Sequence, residues 1–384
     1  SIVNSPGGYV LDSDPGIYSD VVVFDFKSLY PSIIRTFHVD PLAMIAPGDE
    51  RIPGFLEASF SKSRHILPQI IEELWQARDR AKSQQDSAGS QAIKIIMNSF
   101  YGVLGTAGCR FFDARLASSI TRRGHEILQT TRDLIEEKGY PVIYGDTDSV
   151  FVLMESEAGH VDKAAEQLAE YLTDWWRQNL ASRFEIPSFL ELEYETHFVR
   201  FFMPTVRGSE KGSKKRYAGM IDNDGGEGRL IFKGLESVRS DWTPLAREFQ
   251  QELYRRVFVE EPTEDYIRGM VKAVLDGSVD SKLVLRRRLR RKLSDYTKNV
   301  PPHVRAARLA DEERARKGLN PLYENGGWIE YLMTVNGPEP LAYASSPLDY
   351  DFYIDRQLAP IADAVLSFDQ TSLAVLTDKQ MGLF

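Results

Sequence analysis

Cysteine is nearly absent: Cys109 is the single example in 384 residues. One thiol cannot close an internal disulfide, and it excludes a multi-cysteine zinc or iron–sulfur centre. Long apolar runs are missing too. No stretch approaches the roughly 20 residues that cross a bilayer, and no signal-peptide pattern opens the sequence. A cytoplasmic protein without membrane contact is therefore expected. Positive charge is not in excess either, since 47 Lys+Arg stand against 56 Asp+Glu for a net charge of -9. Taken whole, that balance argues against a polyanionic partner. A polyanion feels charge only within about one Debye length, ~8 Å at physiological salt, so clustering matters more than the sum. The basic residues do cluster, at Lys211 to Arg216 and at Arg286 to Lys292.

The chain is too long for one compact core, so two or three domains are expected. Val21 to Phe26 is a short β-branched run that reads as a buried strand, with Asp25 as an anomalous acid inside it. Apolar residues at helical spacing predict a helix from Leu67 to Lys82. A polar link from Gln84 to Ser90 and a second helix from Gln91 to Leu104 would complete a helical hairpin. Arg115 to Lys138 and Val161 to Leu180 predict further helices, and strands are expected at Phe189 to Tyr194, Arg216 to Ile221 and Leu230 to Phe232. Beyond Trp242 the pattern is mostly helical, including a helix from Ser281 to Tyr296 with Leu285, Leu289 and Leu293 at four-residue steps.

The densest chemistry lies at Tyr144-Gly145-Asp146-Thr147-Asp148-Ser149, between two β-rich runs, which reads as a tight hairpin. Two carboxylates so close repel each other unless a cation is present, although an Asp-rich solvated turn has the same wording. Asp25 supplies a third carboxylate. Oxygen ligands gathered in this way suit two Mg²⁺ ions, with Mn²⁺ a possible substitute, set roughly 3.5–4 Å apart for in-line phosphoryl transfer.

Three segments carry a resemblance. Asp25 to Ile34 (DFKSLYPSII) resembles motif A of the family B DNA polymerases, Lys94 to Gly102 (KIIMNSFYG) resembles motif B, and Tyr144 to Ser149 resembles motif C, in the family's order. The wording is closest to the bacterial members. The resemblance implies an α+β fold of right-hand architecture, with a ferredoxin-like antiparallel palm sheet, helical-hairpin fingers and a mostly helical thumb. The expected boundaries are palm 1–64, fingers 65–106, palm again 107–238 and thumb 239–384. It implies template-directed DNA synthesis from dNTPs with release of pyrophosphate. Asp25 and Asp148 become the principal metal ligands, with Asp146 as a supporting carboxylate.

On the motif B helix, Ile93, Met97, Phe100 and Leu104 form a core stripe, and Lys94, Asn98, Tyr101 and Gly102 fall beside it. A cation, an amide and an aromatic ring in line suit a triphosphate and a base. Arg78 and Lys82, like charges four residues apart, would be relieved by the same triphosphate, while Arg80 points elsewhere. The resemblance implies that Tyr30 is a steric gate against a 2′-hydroxyl; a plain core tyrosine is the alternative.

Lys214, Lys215, Arg216 and Tyr217 resemble the family's KKRY element at primer–template DNA, with Lys215 and Tyr217 on one face of a strand. Arg287 and Arg291 belong to the second basic cluster, either a DNA-backbone tracker or a solvated face. His303, in a thumb-like Pro-Pro-His-Val, reads as a cap or backbone contact. Gln380, Met381, Leu383 and Phe384 resemble the peptide by which bacterial polymerases hold the sliding clamp.

The chain starts at Ser1, shortly before motif A, so a piece of a longer protein is expected. The upstream part would carry an N-terminal domain and a 3′–5′ exonuclease, and the parent would be a monomer acting in replication or repair. Rival readings are a catalytically inert DNA- and clamp-binding module, or a reverse transcriptase or RNA polymerase with a similar palm.

Overall fold

A computed structural model describes residues 10–48, 50–205, 214–224 and 226–381. The chain forms two compact units, Ser1–Asp14 with Tyr18–Arg200, and Pro15–Ile17 with Phe201–Phe384.

The first unit carries β1 (Val10–Leu11), β2 (Gly16–Phe26), α1 (Leu29–Phe37), α2 (Pro41–Ile45), β3 (Arg51–Pro53) and β4 (Ser59–Ser61). Then come α3 (Leu67–Ser83), α4 (Ser87–Leu104), α5 (Ala114–Glu137), β5 (Val142–Asp146), β6 (Ser149–Leu153), α6 (Val161–Phe184) and β7 (Leu192–Met203), the last up to Arg200. Its main sheet runs β1-β5-β6-β2-β7. The β2–β6 and β5–β6 pairs are antiparallel, and Asp25 lies opposite Ser149. Val21 to Phe24 are buried on both faces, so the strand reads as a continuous apolar run rather than an alternating one.

The helical hairpin forms as expected, with one correction. Helix α4 begins at Ser87, inside the segment read as a link, because the Asp86 carboxylate caps it by accepting from the Gly89 amide at 2.9 Å. Met97 and Leu104 are buried, and Ile93 and Phe100 pack against the same core, as the stripe requires. The start of α3 is held from a distance. Fully buried Asp40 accepts from Ala43 N at 2.8 Å, Ile66 N at 3.0 Å and Leu67 N at 2.6 Å, so one carboxylate serves the first turns of α2 and α3.

The second unit contains β8 (Tyr217–Ile221), β9 (Arg229–Lys233), α7 (Pro244–Phe258), α8 (Glu264–Leu275), β10 (Leu285–Leu289), α9 (Pro302–Arg316), β11 (Gly327–Thr334), β12 (Gly337–Pro340), α10 (Tyr350–Tyr353), α11 (Ala359–Leu366) and α12 (Leu373–Met381). The expected helix from Ser281 to Tyr296 is absent. Its centre is strand β10, the edge of a sheet ordered β10-β11-β12. Leucines four residues apart share a face in a helix and also in a strand, and here Leu285 and Leu289 are buried on one face of the strand. The fold class is α+β, as read. Among the described residues no helix is long and apolar enough to cross a membrane.

Candidate active site

Asp25 and Asp148 meet at the end of the β2–β6 pair, with Asp146 in the same turn. The amide of Phe26 donates to the carbonyl of Asp148 at 2.8 Å, which brings the neighbouring Asp25 beside Asp148. The hairpin turn is tight. Asp148 N donates to Asp146 O at 2.6 Å, and Thr147 sits at φ 50°, a strained value for a β-branched residue. Asp146 is held by its neighbours, accepting from the Tyr144 hydroxyl at 3.3 Å and from the Thr147 hydroxyl at 3.1 Å.

The electrostatics are those of an under-neutralised acidic centre. The Asp25 carboxyl is pushed up to about 8, by burial first and then by the charges of Asp148, Glu195 and Glu193, while Lys94 pulls it down. Asp148 is raised as well, chiefly by burial and then by Asp146 and Glu195, against its own amide and a hydrogen bond with Asp25. All-oxygen carboxylate donors with negative charge in excess fit a hard divalent cation. Among the described residues no three His, Cys, Asp or Glu side chains converge into a ready-made cage. Mg²⁺ needs only one or two carboxylates and takes its other oxygens from water and substrate phosphate.

Of the residues singled out by sequence, the structure brings Lys94, Tyr30 and Tyr101 to this centre. Lys94 is half-buried and within electrostatic reach of Asp25. The rings of Tyr30 and Tyr101 lie 4.8 Å apart, and the Tyr30 hydroxyl is pushed up to about 12 by burial, then by Tyr101, Asp148 and Asp146. Arg78 is half-buried on α3, and its Nε is buried without a hydrogen-bond partner. Lys82 and Asn98 are exposed on α3 and α4.

The basic segments belong to the second unit. Arg216 donates to buried Glu236 at 2.7 Å, and the Tyr217 ring lies 5.3 Å from that of Phe201. Lys215 is not on a strand face as expected. Strand β8 begins only at Tyr217, and Lys215 has φ 60° with its carbonyl pressed against Gly234. Arg287 is exposed on β10, and Arg291 lies beyond it with its guanidinium 4.6 Å from the Tyr296 ring centroid. Both line a cavity of about 540 Å³ together with His303. Of the clamp-like peptide, Gln380 and Met381 are the last backbone residues of α12, and Leu383 and Phe384 lie outside the described residues.

A family model described as DNA polymerase family B matches residues 4–367. The chain belongs to DNA polymerase family B. It is 54% identical to DNA polymerase II of Escherichia coli strain K12 over 99% of this chain and 49% of that protein. It is 30% identical to a DNA polymerase of Thermococcus gorgonarius over 98% of this chain and 49% of that protein. The solved family B DNA polymerase of Pyrobaculum calidifontis superposes with a TM-score of 0.66 at 25% identity, covering 95% of this chain and 47% of that one. The chain thus spans about half the length of these relatives.

Two features of this family B chain escaped sequence reasoning. Glu191 just before β7 alternates with Glu193 and Glu195 within it, and Lys27 bridges Glu191 at 2.7 Å and Glu193 at 2.9 Å. Glu193 and Glu195 act on Asp25. The period-two alternation Glu191-Leu192-Glu193-Tyr194-Glu195 was a signal available in the sequence. The other is Asp40, whose role spans a contact that no local pattern reveals.

Proposed function

We propose that the chain carries the polymerising centre of a DNA-directed DNA polymerase, transferring deoxynucleotides from dNTPs to a primer 3′-hydroxyl with release of pyrophosphate. The observation that carries this reading is the pairing of Asp25 with Asp148, two half-buried carboxylates side by side with Lys94 as the opposing charge. Asp25 and Asp148 would hold two Mg²⁺ ions, or Mn²⁺ in their place, with Asp146 supporting the turn. Bound there, such ions lower the pKa of the primer hydroxyl and neutralise charge on the leaving pyrophosphate.

The protein's own groups do the rest. Lys94, Arg78 and Lys82 would clamp the triphosphate from the two helices of the hairpin, the orphaned Nε of Arg78 being a donor in want of an acceptor. Tyr30, backed by Tyr101, would lie under the sugar and reject ribose, and Asn98 would flank the base pair. Lys214, Lys215, Arg216, Tyr217, Arg287 and Arg291 would track the DNA backbone and fix register without reading sequence.

In this reading residues 1–64 and 107–238 form the palm, 65–106 the fingers and 239–384 the thumb. Gln380, Met381, Leu383 and Phe384 would bind the sliding clamp. The parent protein would be a cytoplasmic, nucleoid-associated monomer of replication and repair within the DNA damage response, with a 3′–5′ exonuclease upstream.

Primer extension with Mg²⁺ tests the reading, comparing the chain with Asp148→Ala. Loss of about 10³-fold or more is expected, the scale of removing electrostatic stabilisation from a transition state. Equal extension by the two proteins rules out catalysis at this centre and leaves the inert DNA- and clamp-binding module as the better account.

A further inference from the structure

Gly124 sits in the middle of α5, on its buried face between Ile120 and Ile127. A glycine there is unfavourable by roughly 1 kcal/mol relative to alanine, so its presence asks for a reason. The surroundings supply one. A Cβ at Gly124 would lie 3.4 Å from Cε1 of Tyr30, 3.7 Å from Cδ1 of Ile33 and 3.8 Å from Cδ2 of Leu29. A methyl group would just touch the ring edge, and a side-chain atom extending from it toward the ring would overlap Tyr30. The Tyr30 ring is bounded elsewhere by Tyr101, whose ring centroid is 4.8 Å away. Leu29 and Ile33, buried on the same helix as Tyr30, close off retreat along the core.

We propose that Gly124 is a specificity-positioning residue: the bare backbone of α5 sets how deep the Tyr30 ring sits, and so how strictly the centre separates deoxyribose from ribose. The inference rests on the reading of Tyr30 as the sugar gate, and it adds a control point on a different helix, nearly a hundred residues away in sequence. Bulk added at Gly124 would press on the ring from the α5 side, toward the sugar in this reading. A methyl group removes the slack behind the ring. A branched side chain drives the ring into the space of the sugar itself.

The test is single-nucleotide extension opposite a template thymine, with dATP and ATP compared, for Gly124→Ala, Gly124→Val, Tyr30→Ala and the double variant Gly124→Val/Tyr30→Ala. Thermal unfolding of each reports whether it is folded. Gly124→Ala is expected to keep the dATP KM within about twofold and to lower relative ATP use by about threefold or more. Gly124→Val is expected to raise the dATP KM about tenfold. In the Tyr30→Ala background the same valine is expected to change the dATP KM by less than about twofold, since there is no ring left to push.

A merely structural role for Gly124 would weaken both nucleotides alike and persist without the ring, and that pattern overturns the proposal. If Gly124→Val does not fold, Gly124→Ala decides, and an unchanged ATP-to-dATP ratio overturns it. The Tyr30→Ala arm is separate: no rise in ATP use there overturns the gate itself, whatever the glycine variants do.

Discussion

The amide of Phe26 donates to the carbonyl of Asp148 across 2.8 Å. That bond extends the β2–β6 pairing past its last paired residues and holds two acids, distant in sequence, at one point of the sheet. Their proximity is unfavourable on its own, and several testable consequences follow from it and from the supports around it.

Asp25→Asn should stabilise the cation-free chain while abolishing synthesis. The folded chain keeps the Asp25 proton to about pH 8, against an ordinary value of 3.8, so it binds more protons than the unfolded chain between those values. This group's contribution is therefore fully present at low pH and is lost as pH rises through about 8. At pH 9 in EDTA the variant is predicted to be more stable by on the order of 1–3 kcal/mol, a difference that shrinks at pH 5 and on adding Mg²⁺. Thermal melts at the two pH values check this, and a variant less stable than the parent at pH 9 contradicts it.

Asp40→Ala should be among the most damaging single changes outside the centre. Three amides lose their acceptor at a fully buried position, and the first turns of α2 and α3 are released together. The predicted loss is about 2–5 kcal/mol by urea unfolding. A shift below about 1 kcal/mol would mean that water replaces the carboxylate.

How much of this was legible in the sequence depended on range. Asp25, Asp148 and Lys94 stood out because each is odd within its own segment: an acid inside a β-branched run, acids crowded at a turn, a cation beside a core stripe. The helical hairpin was legible for the same local reason. The alternating acids of β7 were visible as a pattern, but nothing local said that they face Asp25. Asp40 precedes Pro41, and two of its three amide partners lie at the start of another helix, beyond any local pattern. The misreading of β10 had a different origin. Leucines in steps of four satisfy both helical and strand periods, and the arginines between them carry no facing information until Ile329 and Tyr331 are known to pair opposite.

Gly234→Ala should disturb the KKRY segment. The added Cβ would lie 2.4 Å from the Lys215 carbonyl oxygen, and Gly234 itself has φ 63°. Backbone on one side and an unfavourable dihedral on the other leave no cheap adjustment, so a loss of about 1–3 kcal/mol is predicted. Binding of a primer–template duplex should weaken with it, and the slope of log K against log salt should become shallower by about one for each phosphate the segment no longer neutralises. Unchanged affinity and slope would separate this segment from DNA binding.

His303 predicts an acid-sensitive second unit. It is 5% exposed, and its imidazole is pushed down to about 4 from 6.5, by burial first and then by Arg287. Between those values the unfolded chain binds the extra proton, so stability present above pH 6.5 is lost as pH falls toward 4. His303→Gln should flatten that acid limb by up to about 3 kcal/mol. Equal pH dependence in the two proteins would remove His303 as its cause.

The central claim is that Asp25 and Asp148 hold divalent cations jointly, and counting the cations tests it without any turnover. With a dideoxy-terminated primer–template and the matching dNTP, Mn²⁺ titration followed by electron paramagnetic resonance should find about two ions bound per chain. Asp25→Asn and Asp148→Asn should each lose both tight sites over the same range. Undiminished Mn²⁺ binding by either folded variant would contradict the account.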